Sequence, residues 1–195
     1  MWRTRRRIIA LSVAGVLLVL AGSYLTYRER DNFFCVACHT QPETEYLDRY
    51  LRAAQKQTTA DLAAFHYRQA QTLCIDCHGG EGVAGRALVE LFAARNASKF
   101  FTGIARQPAV IELPLQNEAC LKCHAPAMRK LGFENHMHNK PFIEPERVPF
   151  IRCSDCHVSH RLGDERTAFQ FRDAILPKCE YCHATVGKGP RGLVP

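Results

Sequence analysis

All ten cysteines of this 195-residue chain lie in five copies of one motif, C-x-x-C-H. They are Cys35-Val-Ala-Cys38-His39, Cys74-Ile-Asp-Cys77-His78, Cys120-Leu-Lys-Cys123-His124, Cys153-Ser-Asp-Cys156-His157 and Cys179-Glu-Tyr-Cys182-His183. Paired thiols at this spacing, followed directly by an imidazole, are the attachment signature of a c-type haem. The thiols add across the porphyrin vinyl groups, and the histidine becomes the proximal iron ligand. The spacing therefore predicts five covalently bound haem c groups and one-electron chemistry. A zinc ribbon also uses C-x-x-C pairs, but it has no need of histidine after each second cysteine. Neither does a disulfide framework. A thioredoxin-type C-x-x-C is single and sits in a βαβ pattern that this sequence lacks.

Five irons with two protein ligands each need ten groups. The motifs supply His39, His78, His124, His157 and His183, and the other histidines are His66, His136, His138 and His160. At most four haems can then take two histidines from this chain. For the fifth, the sequence leaves Met, Lys, water, a partner's side chain or an open position. Met128 and Met137 are the only methionines after the initiator, and a thioether ligand raises a haem's potential. Met137 is wedged between two candidate ligands, where packing on a porphyrin is the simpler role. Met128 is therefore the candidate thioether.

These groups need elements to carry them. Residues 8–27 hold no charge, and as a helix they rise about 30 Å, enough to cross the hydrocarbon core. Arg3, Arg5, Arg6 and Arg7 precede them with no acid. The positive-inside rule puts that end in the cytoplasm and the remainder across the membrane. A cleaved signal peptide shares the basic start, but the apolar run exceeds the usual signal core of about 7–15 residues. The expected organisation is a basic N-terminus and anchor over 1–27, a pentahaem domain over 28–186 and a flexible tail over 187–195. The fold class expected is mainly α with much irregular structure. One transmembrane helix precedes a compact domain organised around five haems. The setting expected is the bacterial cytoplasmic membrane, with the haem domain on the periplasmic side.

First cysteines are separated by 39, 46, 33 and 26 residues, so the motifs form an array without a fixed period. Residues 43–70 read as helix, with a break near 57–59, Thr59 as the cap of the second part and Asp61 in its first turn. Residues 83–104 read as a further helix, ended by Gly103. It suits packing on haem, or a membrane surface with its aromatics down. The proline-bearing stretches 105–119 and 139–150 read as irregular connectors. The formal charge of +7 is offset by about ten haem propionates, so it is no argument for nucleic acid as a partner. No nucleic-acid motif supports that partner either.

The anchor followed by Phe34-Cys35-Val-Ala-Cys38-His39, then His66 before Cys74-Ile-Asp-Cys77-His78, then Cys153-Ser-Asp-Cys156-His157-Val-Ser-His160, resembles the NapC/NirT family of membrane-anchored cytochromes. The resemblance covers the anchor and roughly residues 30–185. It implies that the haem nearest the membrane takes electrons from menaquinol or another quinol and that the others relay them to a periplasmic redox protein. His160 is then a ligand to a neighbouring haem. Tetrahaem members carry C-x-x-C-H-x-M at haem 1, whereas Thr40-Gln41 follow His39 here. Five closely spaced motifs also resemble the pentahaem subunit of alternative complex III. Cys35 follows Tyr27 by eight residues, at most about 29 Å, so haem 1 is expected close to the bilayer. Two other functions stay open: a relay subunit of a larger respiratory complex, and a reductase of a small oxyanion at an open-ligand haem. A quinol site would need a proton acceptor. Glu43, Glu45, Asp48, Glu81 and Glu90 are near in sequence, and each reads as a solvated surface charge.

Overall fold

The apolar N-terminal run forms a single helix, α1 (Trp2–Arg28), in the computed structural model, which describes residues 2–38, 40–55, 59–143 and 151–193. None of its residues is buried, and its mean hydropathy reaches 2.3 over eighteen residues. It is long and apolar enough to cross a membrane. At its base the aromatic ring of Trp2 stacks under the Arg6 guanidinium at 3.7 Å.

Beyond α1 the described chain is helical and has no strands. The elements are α2 (Asn32–Val36), α3 (Glu43–Ala54), α4 (Leu62–Ala70), α5 (Cys74–His78), α6 (Gly82–Phe101), α7 (Asn117–Met128), α8 (His136–Ile143), α9 (Cys153–Cys156) and α10 (Arg172–Val186). Short 3₁₀ turns cover Phe133–Asn135 and Glu165–Thr167. Each of the five motifs starts within a helix: α2, α5, α7, α9 or α10. Two local expectations change. The cap of α4 is Asp61, whose Oδ1 accepts from the Ala64 amide at 2.9 Å, while Thr59 bonds Glu165 instead. Residues 117–119 open α7 and 139–143 belong to α8, so only parts of the two connectors are irregular.

The α3–α4 hairpin holds most of what core there is. Tyr50 and Tyr67 stack at 3.7 Å, and Ala53 and Ala64 close the space between the helices. Arg49, buried beside them, pairs with the fully buried Asp61 at 2.9 Å and donates to the His160 carbonyl at 2.8 Å. One carboxylate thus caps a helix and neutralises a buried guanidinium. Removing either member of such a pair typically costs about 3–5 kcal/mol. Backbone bonds from Ala63 to Ser159 and from Gly163 to Ala60 dock the 159–163 segment on this hairpin.

Only Leu47, Tyr50, Ala53, Ala64 and Phe169 are buried apolar residues among those described. The chain exposes 14095 Å², whereas a compact monomer of this mass exposes about 9,300 Å². The fully exposed α1 accounts for part of the excess. The remainder belongs to a domain with few buried apolar side chains.

Candidate functional site

The four histidines outside the motifs each stand opposite a motif histidine. His66 meets His124 with ring centroids 5.8 Å apart and planes at 86°. His160 meets His78 at 6.1 Å and 10°. His138 meets His157 at 6.2 Å and 11°, and His136 meets His183 at 6.2 Å and 50°. A metal held between two imidazole nitrogens at about 2.0–2.1 Å each puts the ring centres roughly 6.3 Å apart. The pairs therefore have the span of a metal ligated from both sides.

Hydrogen bonds orient most of these rings. Nδ1 of His66 donates to the Leu62 carbonyl (2.9 Å), that of His136 to Phe133 (2.7 Å) and that of His138 to Asn135 Oδ1 (2.8 Å). Nδ1 of His157 donates to Ala168 (3.0 Å) and that of His183 to Lys188 (2.6 Å). An Nδ1–H engaged in this way leaves the Nε2 lone pair for a metal. His160 lies against Tyr46, ring on ring at 4.1 Å, and its enclosed Nδ1 has no hydrogen-bond partner. Burial pushes its pKa down to about 4, so the ring is neutral, the form that ligates.

Residues 187–193 also take part, although the sequence suggests a flexible tail. Besides the Lys188 carbonyl on His183, the Gly192 amide donates to Glu180 Oε1 at 2.8 Å. Gly189, at φ +93°, passes so close to His183 that a Cβ there would lie 2.0 Å from Nδ1.

Thiols of successive motifs lie near one another. Cys74 hydrogen-bonds Cys35, which holds Cys74 above and Cys35 below the ordinary thiol range. Cys120 does the same to Cys153, bringing the latter down to about 7. Cys77 is within electrostatic reach of Cys120, and Cys156 of Cys179. The motif helices pack in chain order, α2 on α5, α5 on α7, α7 on α9 and α9 on α10, so motifs adjacent in sequence are adjacent in space.

Two buried asparagines set part of this spacing. Asn32, three residues before Cys35, accepts from the Cys74 amide at 3.0 Å. Asn117, three residues before Cys120, accepts from the Cys153 amide at 2.8 Å. In the second member of each couple an aspartate caps the motif helix. Asp76 accepts from the Leu73 amide (2.7 Å) and Asp155 from the Arg152 amide (2.9 Å). Motifs 1 and 2 thus repeat as motifs 3 and 4. The pattern N-x-x-C-x-x-C-H followed by C-x-D-C-H is visible in the sequence, but its meaning depends on which motifs are neighbours.

No protein-family model, curated protein or solved structure matches this chain. The reading of the site therefore stands on geometry and chemistry. Imidazole pairs fit a haem, which brings four porphyrin nitrogens of its own and asks the protein for two axial ligands. The sparse apolar core fits it too, since a porphyrin supplies buried apolar surface. His39 lies outside the described residues. Met128 is half-buried at the end of α7, one helical turn after His124.

Proposed function

We propose that this chain is a membrane-anchored pentahaem c-type cytochrome, of the kind the NapC/NirT family represents, carrying electrons from the quinol pool to a periplasmic redox partner. The observation that carries the reading is the set of four histidine pairs, each joining one motif histidine to one histidine from elsewhere at 5.8–6.2 Å. His78 with His160, His124 with His66, His157 with His138 and His183 with His136 would hold haems 2 to 5, and His39 would hold haem 1.

When bound, haem supplies a one-electron iron couple. The chain's own residues do the rest. Carbonyls and Asn135 fix the ring orientations through Nδ1, and five thiol couples anchor the group covalently. Neighbouring thiols of successive motifs keep the attachment points in an unbroken series from motif 1 to motif 5. The helix α1 keeps motif 1 near the bilayer, where a quinol donor would reside, and leaves motif 5 as the end that faces a soluble acceptor.

Two measurements test this in order. Intact-mass analysis of the purified protein should show five haem additions and no alkylatable thiol; free thiols or bound zinc would end the haem reading. Stopped-flow reduction by a menaquinol analogue, followed in the haem α-band, then tests the donor. Fast reduction blocked by a quinol-site inhibitor is expected. If dithionite reduces all five haems and the quinol none, the chain is instead a relay fed by another subunit.

A further inference from the structure

We infer that one face of α6 is a second membrane contact, lying in the headgroup–acyl boundary of the same bilayer that α1 crosses. The inference rests on α1 being a retained span. In α6, Val83, Ala84, Ala87, Leu88, Leu91, Ala94, Ser98 and Phe101 are all exposed. At 100° per residue they fall in one continuous sector of roughly 140°. Val83 is 91% exposed, Leu91 66% and Phe101 81%, and Ile104 continues the surface at 71%. An apolar helical face of this length on a soluble surface calls for a cover.

Two attachments tie this segment to the end of the membrane span. At its start, Arg86 pairs with Glu29, the first residue after α1, and also donates to the Gly79 carbonyl at 3.3 Å. Past its end, Gln107 donates to the Cys38 carbonyl at 3.3 Å, and the Ala109 amide to the Gln41 carbonyl at 2.9 Å. The stretch from 82 to 109 is thus a strap whose two ends are fastened to residues 29–41, the first part of the chain outside the lipid. A face so close to the anchor has the bilayer as its nearest apolar phase.

The charges agree. Glu90, the only acid in α6, turns back to Arg86. Arg95 sits on the exposed sector, and Lys99 flanks it, their shared partner Glu112 lying beyond the helix. Basic residues beside an apolar face suit anionic lipid headgroups.

The test uses full-length holoprotein in liposomes containing phosphatidylglycerol, with a benzophenone-bearing phenylalanine analogue replacing Leu91, Phe101, Leu18 or Phe133 in turn. After irradiation, positions 91 and 101 should gain the mass of one phospholipid, as should Leu18 inside the span. Phe133, next to the His136–His183 pair at the other end of the array, should gain none. Lipid adducts at 18 but only protein adducts, or none, at 91 and 101 would overturn the inference and assign the face to a partner subunit or a second copy. No lipid adduct even at 18 would overturn it together with the retained-anchor reading.

Discussion

His78 and His160, from opposite halves of the chain, bring their ring centroids to 6.1 Å with planes 10° apart. The partnership depends on the α3–α4 hairpin, whose Arg49 donates to the His160 carbonyl and whose Tyr46 packs on the ring. Replacing His160 with Ala should leave five haems attached by mass and convert one of them from low-spin to high-spin. Magnetic circular dichroism reads that change directly. A His160→Ala protein whose five haems all stayed as in the wild type would remove His160 from the ligand set.

Ring-plane angles give a second prediction. The pairs at motifs 2 and 4 are nearly parallel, at 10° and 11°, while His66 and His124 stand at 86°. Parallel imidazoles give a rhombic low-spin EPR signal, and perpendicular ones a strongly anisotropic signal with a single prominent low-field feature. The oxidised protein should show both. His66→Ala should abolish the anisotropic signal assigned to haem 3 and spare the rhombic pair.

Asn32 and Asn117 offer a test of the paired-motif repeat. Each accepts from the first-cysteine amide of the next motif, and leaving such an amide without a partner costs about 1–3 kcal/mol. Asn32→Ala and Asn117→Ala should each lower the Tm of the holoprotein, by roughly 2–4 °C per kcal/mol for a chain of this size. Asn32→Asp keeps the acceptor and should recover most of the loss.

Gly189→Ala should disturb haem 5 alone. The added Cβ would meet the His183 ring, and the φ of +93° is strained for alanine. Gly187→Ala, at φ +69° with nothing within 4 Å of its Cβ, carries the strain without the collision and serves as the control. Resonance Raman of the ferrous protein should show altered axial ligation in the first variant and none in the second.

Much of this was readable in the residues. The motifs mark five histidines, and on the proposed reading a chain with five haems would leave few other roles for His66, His136, His138 and His160. Their partners are not legible there, because each pair depends on how the helices stack. His136 and His138, two residues apart, serve different motifs, since alternate helical positions point in different directions. Thr59 reads as the cap of α4, but Asp61 takes that place, its carboxylate serving the buried Arg49 as well. Pro141 predicts a connector over 139–143, yet the helix that carries both histidines runs to Ile143.

The direction of pairing along the chain has a consequence for assembly. Three of the four pairs join a motif to a histidine that precedes it: His66 to His124, His138 to His157, and His136 to His183. On the proposed reading the N-terminus stays inside and the segment after α1 crosses in chain order, so both ligands of those sites would be out by the time each motif emerged. Among the four described pairs only that of motif 2 waits for a later residue, His160, and the segment carrying it must fold back onto the start of α4 to arrive. Maturation should therefore finish out of numerical order, with the second site closing after the fourth motif has cleared the membrane.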